Sequence, residues 1–143
     1  MNAVDTNVLV YLVDSEEPTK QRQAVQLFDD LANKPAPTVL VWQVAAEFLS
    51  CMRRWEAAGR ISRGDTLAYL QQLDAMFANT YVYPKRSVLD ISLDLTSRYS
   101  LSHLDSMLLA ACIESGVQTL YTEDLDAGTT YDSISIVNPF AKP

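Results

Sequence analysis

The sequence predicts an α/β protein, a layered sandwich of helices about a short parallel sheet, and two observations carry that prediction. Short apolar, partly β-branched runs alternate with stretches of helical period, the pattern of strands joined by crossover helices. One late stretch, Met107 to Ile113, is apolar nearly all round, so a helix there must be buried. The length of 143 residues suffices for one substantial core and not for two, so a single domain over residues 1–143 is expected.

Ala3 to Asp5 can form only a short strand, and Asn7 to Val13 a short helix or an extension of that strand. Glu16-Glu17-Pro18 marks a helix start, with Pro18 in the first turn and acids near the N-terminus. Ala24, Leu27, Phe28, Leu31 and Ala32 then recur at helical spacing until Asn33-Lys34-Pro35. Thr38 to Val41, bounded by Pro37, is a buried strand. From Val44, the residues Ala45, Phe48, Leu49, Met52 and Trp55 repeat with helical period up to Gly59, a helix end. A helix from Arg63 to Phe77 carries Leu67, Leu70, Leu73 and Phe77 on one side, and Tyr81 to Tyr83 is a short strand closed by Pro84. Val88 to Tyr99 and Ser102 to Ser115 follow as helices. Thr119 to Thr122 and Ile134 to Val137 are the last strands, joined by the polar, Gly-containing segment Glu123 to Ser133.

The formal charge of −7 and a pI near 4.5 argue against a broad basic surface that holds nucleic acid. They leave open an enzyme that engages a phosphodiester through metal ions. Arg53, Arg54, Arg60 and Arg63 fall within eleven positions and form either a local basic rim or a solvated helix end. The N-terminal apolar stretch follows no Lys or Arg and contains Asp5, unlike a signal peptide. No other segment nears the ~18 apolar residues needed to cross a bilayer, so no membrane association and a cytoplasmic location are expected. Cys51 and Cys112 lack a C-x-x-C partner and suit reduced core thiols.

An acid interrupts the first apolar run, AVDTNVLVYLVD. In an open parallel sheet the ligand site lies outside the carboxyl ends of the strands. Asp5 stands at such an end, and Asp124 stands just past Thr119 to Thr122. Glu47 borders the apolar face of its helix, and Asp105 opens the buried helix. Each acid has a structural alternative: Asp5 as an N-cap, Ser102 and Asp105 as a capping box, Asp124 as a turn cap, Glu47 as a partner of Arg54. Together they weigh differently, because two carboxylates about 4 Å apart repel by about 4 kcal/mol at an effective dielectric of 20. A protein that gathers four of them needs a cation. Carboxylates, Asn and hydroxyls are the only donors on offer, which selects Mg²⁺ or Mn²⁺ over zinc, and such ions support phosphodiester hydrolysis.

Other chemistries lack parts. His103 is the sole histidine, the glycines are too dispersed for a phosphate-cradling loop, and Asn7 occupies the position two residues after Asp5 where haloacid-dehalogenase-type phosphatases carry a second Asp.

Four stretches, AVDTNVLVYLVD, VAAEFLS around Glu47, LSHLDSMLLAACIESG around Asp105, and LYTEDLDAG followed by IVNPF, make the whole chain resemble the PIN-domain ribonucleases, most closely the VapC-type toxins of bacterial toxin–antitoxin pairs. The resemblance implies a three-layer α/β/α sandwich with a short, mainly parallel central sheet. It implies Asp5, Glu47, Asp105 and Asp124 as catalytic metal ligands, with Asn7, Thr122 and Thr6 as supports and Asp126 or Glu123 as undecided neighbours. It further implies an Mg²⁺- or Mn²⁺-dependent endoribonuclease, a homodimer, and inhibition by a small cognate antitoxin. Selectivity for the RNA substrate would lie in surface loops and the Arg53, Arg54, Arg60 and Arg63 rim. The rival is a non-catalytic PIN-fold module that binds RNA or protein. Leu104 and Ser106 depart from the aromatic residue and Ala that flank the third acid in many relatives, which puts packing around Asp105 in question.

Overall fold

A computed structural model describes residues 1–78 and 80–141. The elements run β1 (Asn2–Val4), α1 (Thr6–Val13), α2 (Pro18–Ala32), β2 (Thr38–Val41), α3 (Trp42–Ala57) and α4 (Arg63–Met76), then β3 (Tyr81–Val82), α5 (Arg86–Arg98), α6 (His103–Ser115), β4 (Thr119–Tyr121), β5 (Thr130–Tyr131) and β6 (Ile134–Val137). The strand order is β3-β2-β1-β4-β6-β5, parallel throughout except for the β5–β6 pair. From β1 the chain steps outward to β2 and β3, then returns across the sheet to β4. With right-handed crossovers, α1 to α4 cover one face and α5 and α6 the other, and the pairings agree: α1 packs on α2 and α3, and α5 on α6. This is the expected α/β sandwich.

Central parallel strands are covered on both faces and read as continuous apolar runs; accordingly Ala3, Val4, Leu40, Val41 and Leu120 are at most 2 % exposed. Strand β6 alternates instead, with Ile134 and Ile136 inward. Its partner β5 was not legible in the sequence. Two residues carry no periodicity, and the turn to β6 uses Asp132 at φ 51° where a glycine would have announced it. Arg98 holds that turn through both oxygens of Asp132.

Helix α6 is nearly enveloped, with Leu108, Leu109, Ala110 and Cys112 at most 3 % exposed. It ends at Gly116, whose φ of 81° is the left-handed conformation of a helix C-terminus. The Ser106 hydroxyl is fully buried yet satisfied: it donates to the His103 carbonyl and lies 2.8 Å from the Ser92 hydroxyl on α5. A serine after Asp105 is thereby packed without a stranded polar group. Among the described residues no helix is long and apolar enough to cross a membrane.

Candidate active site

The strand order reverses between β1 and β4, and in open parallel sheets such a switch point opens a crevice at the carboxyl ends of the strands. Asp5 sits there. Its amide donates to the Tyr121 carbonyl of β4 at 2.9 Å, which sets it beside Thr122. Its Oδ1 accepts the Thr6 N–H at 2.6 Å, and its Oδ2 accepts the Thr122 hydroxyl at 2.7 Å. Asp5 is therefore an N-cap of α1 and a site residue at once; the two readings do not compete.

Val41 passes straight from β2 into α3, which brings Glu47, nearly two turns on, to the same edge. The Thr6 hydroxyl donates to Glu47 Oε2 at 2.7 Å and Gln43 Nε2 to Oε1 at 3.1 Å. Gln43 also donates to the Leu104 carbonyl at 3.0 Å, tying α3 to the start of α6. The structure thus gives Glu47 these partners and not Arg54, whose guanidinium bonds Ser50. Gln43 was missed by the sequence reading, although its place one turn before Glu47 is a signal for an i,i+4 contact.

Asp105 receives only half of a capping box. Its amide donates to Ser102 Oγ at 3.1 Å, whereas in α4 the Asp65 carboxylate returns a bond to the Ser62 amide. Asp124 donates its amide to Thr122 Oγ1 at 3.1 Å. Neither carboxylate, nor that of Asp5 or Glu47, has an ion-pair partner among the described residues.

The charges of the acids reach one another. Burial pushes the Asp5 carboxyl from the usual 3.8 up to about 6, against the hydrogen bonds from Thr122 and Thr6, and the charges of Asp124 and Glu47 add to the rise. Asp124, although an exposed residue, is raised as well, first by partial desolvation of its carboxyl, then by Glu123, Asp105 and Glu47. The Asn7 amide faces Asp124 and eases its charge, yet neither Asn7 Oδ1 nor Nδ2, both buried, meets a partner at hydrogen-bonding geometry.

Among the described residues no three His, Cys, Asp or Glu side chains are gathered tightly enough to hold a metal ion by themselves. Mg²⁺ does not require that: it typically takes one or two carboxylates and keeps several waters. An oxygen-only donor set without a basic partner, with an unpartnered buried amide at its edge, fits such an ion.

The remaining predicted residues divide. Asp126 is exposed, and its charge acts on Tyr131. Glu123 is engaged by Tyr11 and Lys20. Arg60 pairs with Asp14 and Glu16 and stacks 4.0 Å over the Trp55 ring, and Arg63 pairs with Glu56. Arg53 and Arg54 are exposed on α3, and Arg54 lines one groove of about 650 Å³ together with Glu47, Asp124, Tyr11 and Trp55.

A comparison with curated proteins finds no significant match. Among solved structures, a toxin–antitoxin complex from Klebsiella pneumoniae is 17% identical, with 98% of each chain covered and a TM-score of 0.66. FitAcB from Neisseria gonorrhoeae is also 17% identical, with 98% of this chain and 99% of that one covered and a TM-score of 0.67. VapC20 of Mycobacterium tuberculosis, described as a sarcin–ricin loop cleaving toxin, is 17% identical over 87% of this chain and 90% of its own, with a TM-score of 0.55. These likenesses establish a shared fold. The PIN domain model matches residues 3–132, nearly the whole α/β unit and all four acids, and on that match the chain belongs to the PIN domain family.

Proposed function

We propose that the protein is an Mg²⁺- or Mn²⁺-dependent endoribonuclease that acts as the toxin of a bacterial toxin–antitoxin pair. The observation that carries this reading is the buried Asp5 at the sheet's switch point, coupled to like charges with no ion-pair partner among the described residues to offset them. Asp5, Glu47, Asp105 and Asp124 would hold the ion, with Asn7 close by; when bound, it neutralises phosphodiester charge and activates water for hydrolysis. The chain's own residues prepare the site. Thr6 and Thr122 fix the Asp5 carboxylate, Thr6 and Gln43 fix that of Glu47, and Arg54 meets a backbone phosphate of RNA lying in the groove. Arg60 and Arg63, already paired, serve the fold.

Two further surfaces support the partners. Val25, Phe28, Tyr69 and Met76 line an apolar groove between α2 and α4 suited to an amphipathic helix of an antitoxin. The exposed Trp42, Tyr83 and Leu104 surround an apolar cavity of about 310 Å³ suited to a second copy of the chain. The description of the similar Klebsiella pneumoniae structure as a toxin–antitoxin complex, and of VapC20 as a sarcin–ricin loop cleaving toxin, also favours this reading. A second reading, a non-catalytic RNA- or protein-binding module, is favoured by one observation: among the described residues no three acids gather tightly.

The test is cleavage of RNA with Mg²⁺ or Mn²⁺, with excess chelator, and by Asp5→Asn. Cleavage is expected only in the first case. Full activity of the variant, or activity in chelator, overturns the mechanism, and a wild type with neither cleavage nor Mn²⁺-induced thermal stabilisation is the module.

A further inference from the structure

Behind Tyr11, which lines the groove, three polar side chains close on one another. Glu123 stands between Thr122, whose hydroxyl holds Asp5, and Asp124. Its Oε1 accepts from the Tyr11 hydroxyl of α1 at 2.6 Å, and its Oε2 meets Lys20 Nζ of α2 at 3.0 Å. Lys20 Nζ also donates to the Tyr11 hydroxyl at 3.0 Å, which completes a triangle. The ammonium lies 4.7 Å from the centroid of the Tyr11 ring and 5.8 Å from that of Phe140, and the two rings meet edge to face at 4.9 Å. The closing IVNPF stretch thereby walls the triangle on one side.

Both oxygens of Glu123 are taken from within the chain, whereas Asp124 has no ion pair among the described residues and lines the groove beside Tyr11. We propose that Lys20 is a positioning residue for Asp124: by binding Glu123 together with Tyr11, it fixes the backbone from Thr122 to Asp124 and keeps Glu123 out of the ligand set. The inference rests on the reading of the four acids as a cation site. Without the ammonium, Glu123 would carry an uncompensated charge one residue from Asp124, held only by the Tyr11 hydroxyl and able to swing toward an arriving cation. The backbone between them would also lose its tie to α2 and keep only that single bond to α1. The side chains of Lys20 and Glu123 are 35% and 21% exposed, so the pair contributes little to global stability. Its effect is local.

Lys20→Met, Lys20→Arg and the double variant Lys20→Met/Glu123→Gln, made in the full chain, test this by two readouts. The first is amide hydrogen exchange at Asp124 in metal-free protein, and the second is the midpoint of Mn²⁺-induced thermal stabilisation. Lys20→Met is expected to speed exchange at Asp124 about tenfold and to raise the Mn²⁺ midpoint about tenfold, as the loss of one charge-assisted bond implies. Lys20→Arg restores both. The double variant recovers the midpoint and not the exchange, because it removes the competing carboxylate without restoring the tie. Wild-type exchange and midpoint in Lys20→Met overturn the proposal, and so does an acceleration spread evenly over the whole chain. A wild type that takes up no Mn²⁺ sinks the cation reading and the ligand-set half of the proposal, while exchange at Asp124 still decides the tie.

Discussion

Asp5→Asn exchanges a buried charge for a neutral side chain of the same shape, and the consequence for stability can be worked out. A carboxyl held at about 6 in the fold and near 3.8 in the unfolded chain binds its proton more tightly when folded, a difference of about 3 kcal/mol. For metal-free wild type that contribution is fully present below about pH 4 and is lost as the pH rises through about 6. Asn keeps one oxygen for the Thr6 amide and turns an amide toward the Thr122 hydroxyl, which can accept. The two proteins should therefore be about equally stable at pH 4, and at pH 7.5 the variant should be the more stable by up to about 3 kcal/mol, about 10 °C in Tm for a chain of this size. Thermal melts in chelator from pH 4 to 7.5 measure the difference directly, because every other titrating group is common to both. Mn²⁺ then closes and reverses the gap: it stabilises the wild type by about 2.7 kcal/mol at a hundred times Kd and by about 4.1 kcal/mol at a thousand times, enough to invert the order, and leaves the variant unmoved. Parallel pH curves, or a variant less stable at pH 7.5, would refute the claim that Asp5 is an uncompensated buried charge.

Arg54→Ala should raise KM for RNA about three- to tenfold, with kcat and the Mn²⁺ midpoint unchanged, and the difference should shrink in high salt as phosphate contacts are screened. Arg60→Ala should do the opposite, leaving KM alone and lowering stability in urea by about 2 kcal/mol, because it strands the mostly buried Asp14. Trp42→Ala with Tyr83→Ala should convert a dimer into a monomer in sedimentation at micromolar concentration without loss of fold; a dimer that survives both changes must use another face.

The long elements were legible because pattern and burial coincide in them: α2 and α3 each lay an apolar stripe on the core, and α6, apolar nearly all round, is enveloped by it. Where the two part, the sequence was silent or ambiguous. The segment Asn7 to Val13 suits helix or strand on composition alone, and the structure makes it helix from Thr6 because Asp5 caps it. Capping is a matter of one side chain's rotamer, which no period records. Strand β5 is two residues long, and its existence depends on Asp132 accepting a left-handed backbone under the grip of Arg98, a contact across 34 residues of chain.

The site divides along the same line. Strand ends and helix starts are local features, so the acids could be named from the sequence, and topology alone brings them to one edge. What holds each carboxylate is not local. Thr6 reaches Glu47 across 41 residues, Thr122 reaches Asp5 across 117, and Tyr11 reaches Glu123 across 112. The same geometry separates Glu123 from Asp124, adjacent acids that look interchangeable in TEDLD. One has Lys20 for a counter-charge and the other has none among the described residues. A carboxylate already neutralised by the chain has little to gain from a cation, and one raised by desolvation and by neighbouring like charges has much. By that criterion Asp5 and Asp124 are the positions where an ion would act most strongly, and Glu123 helps to keep them in place.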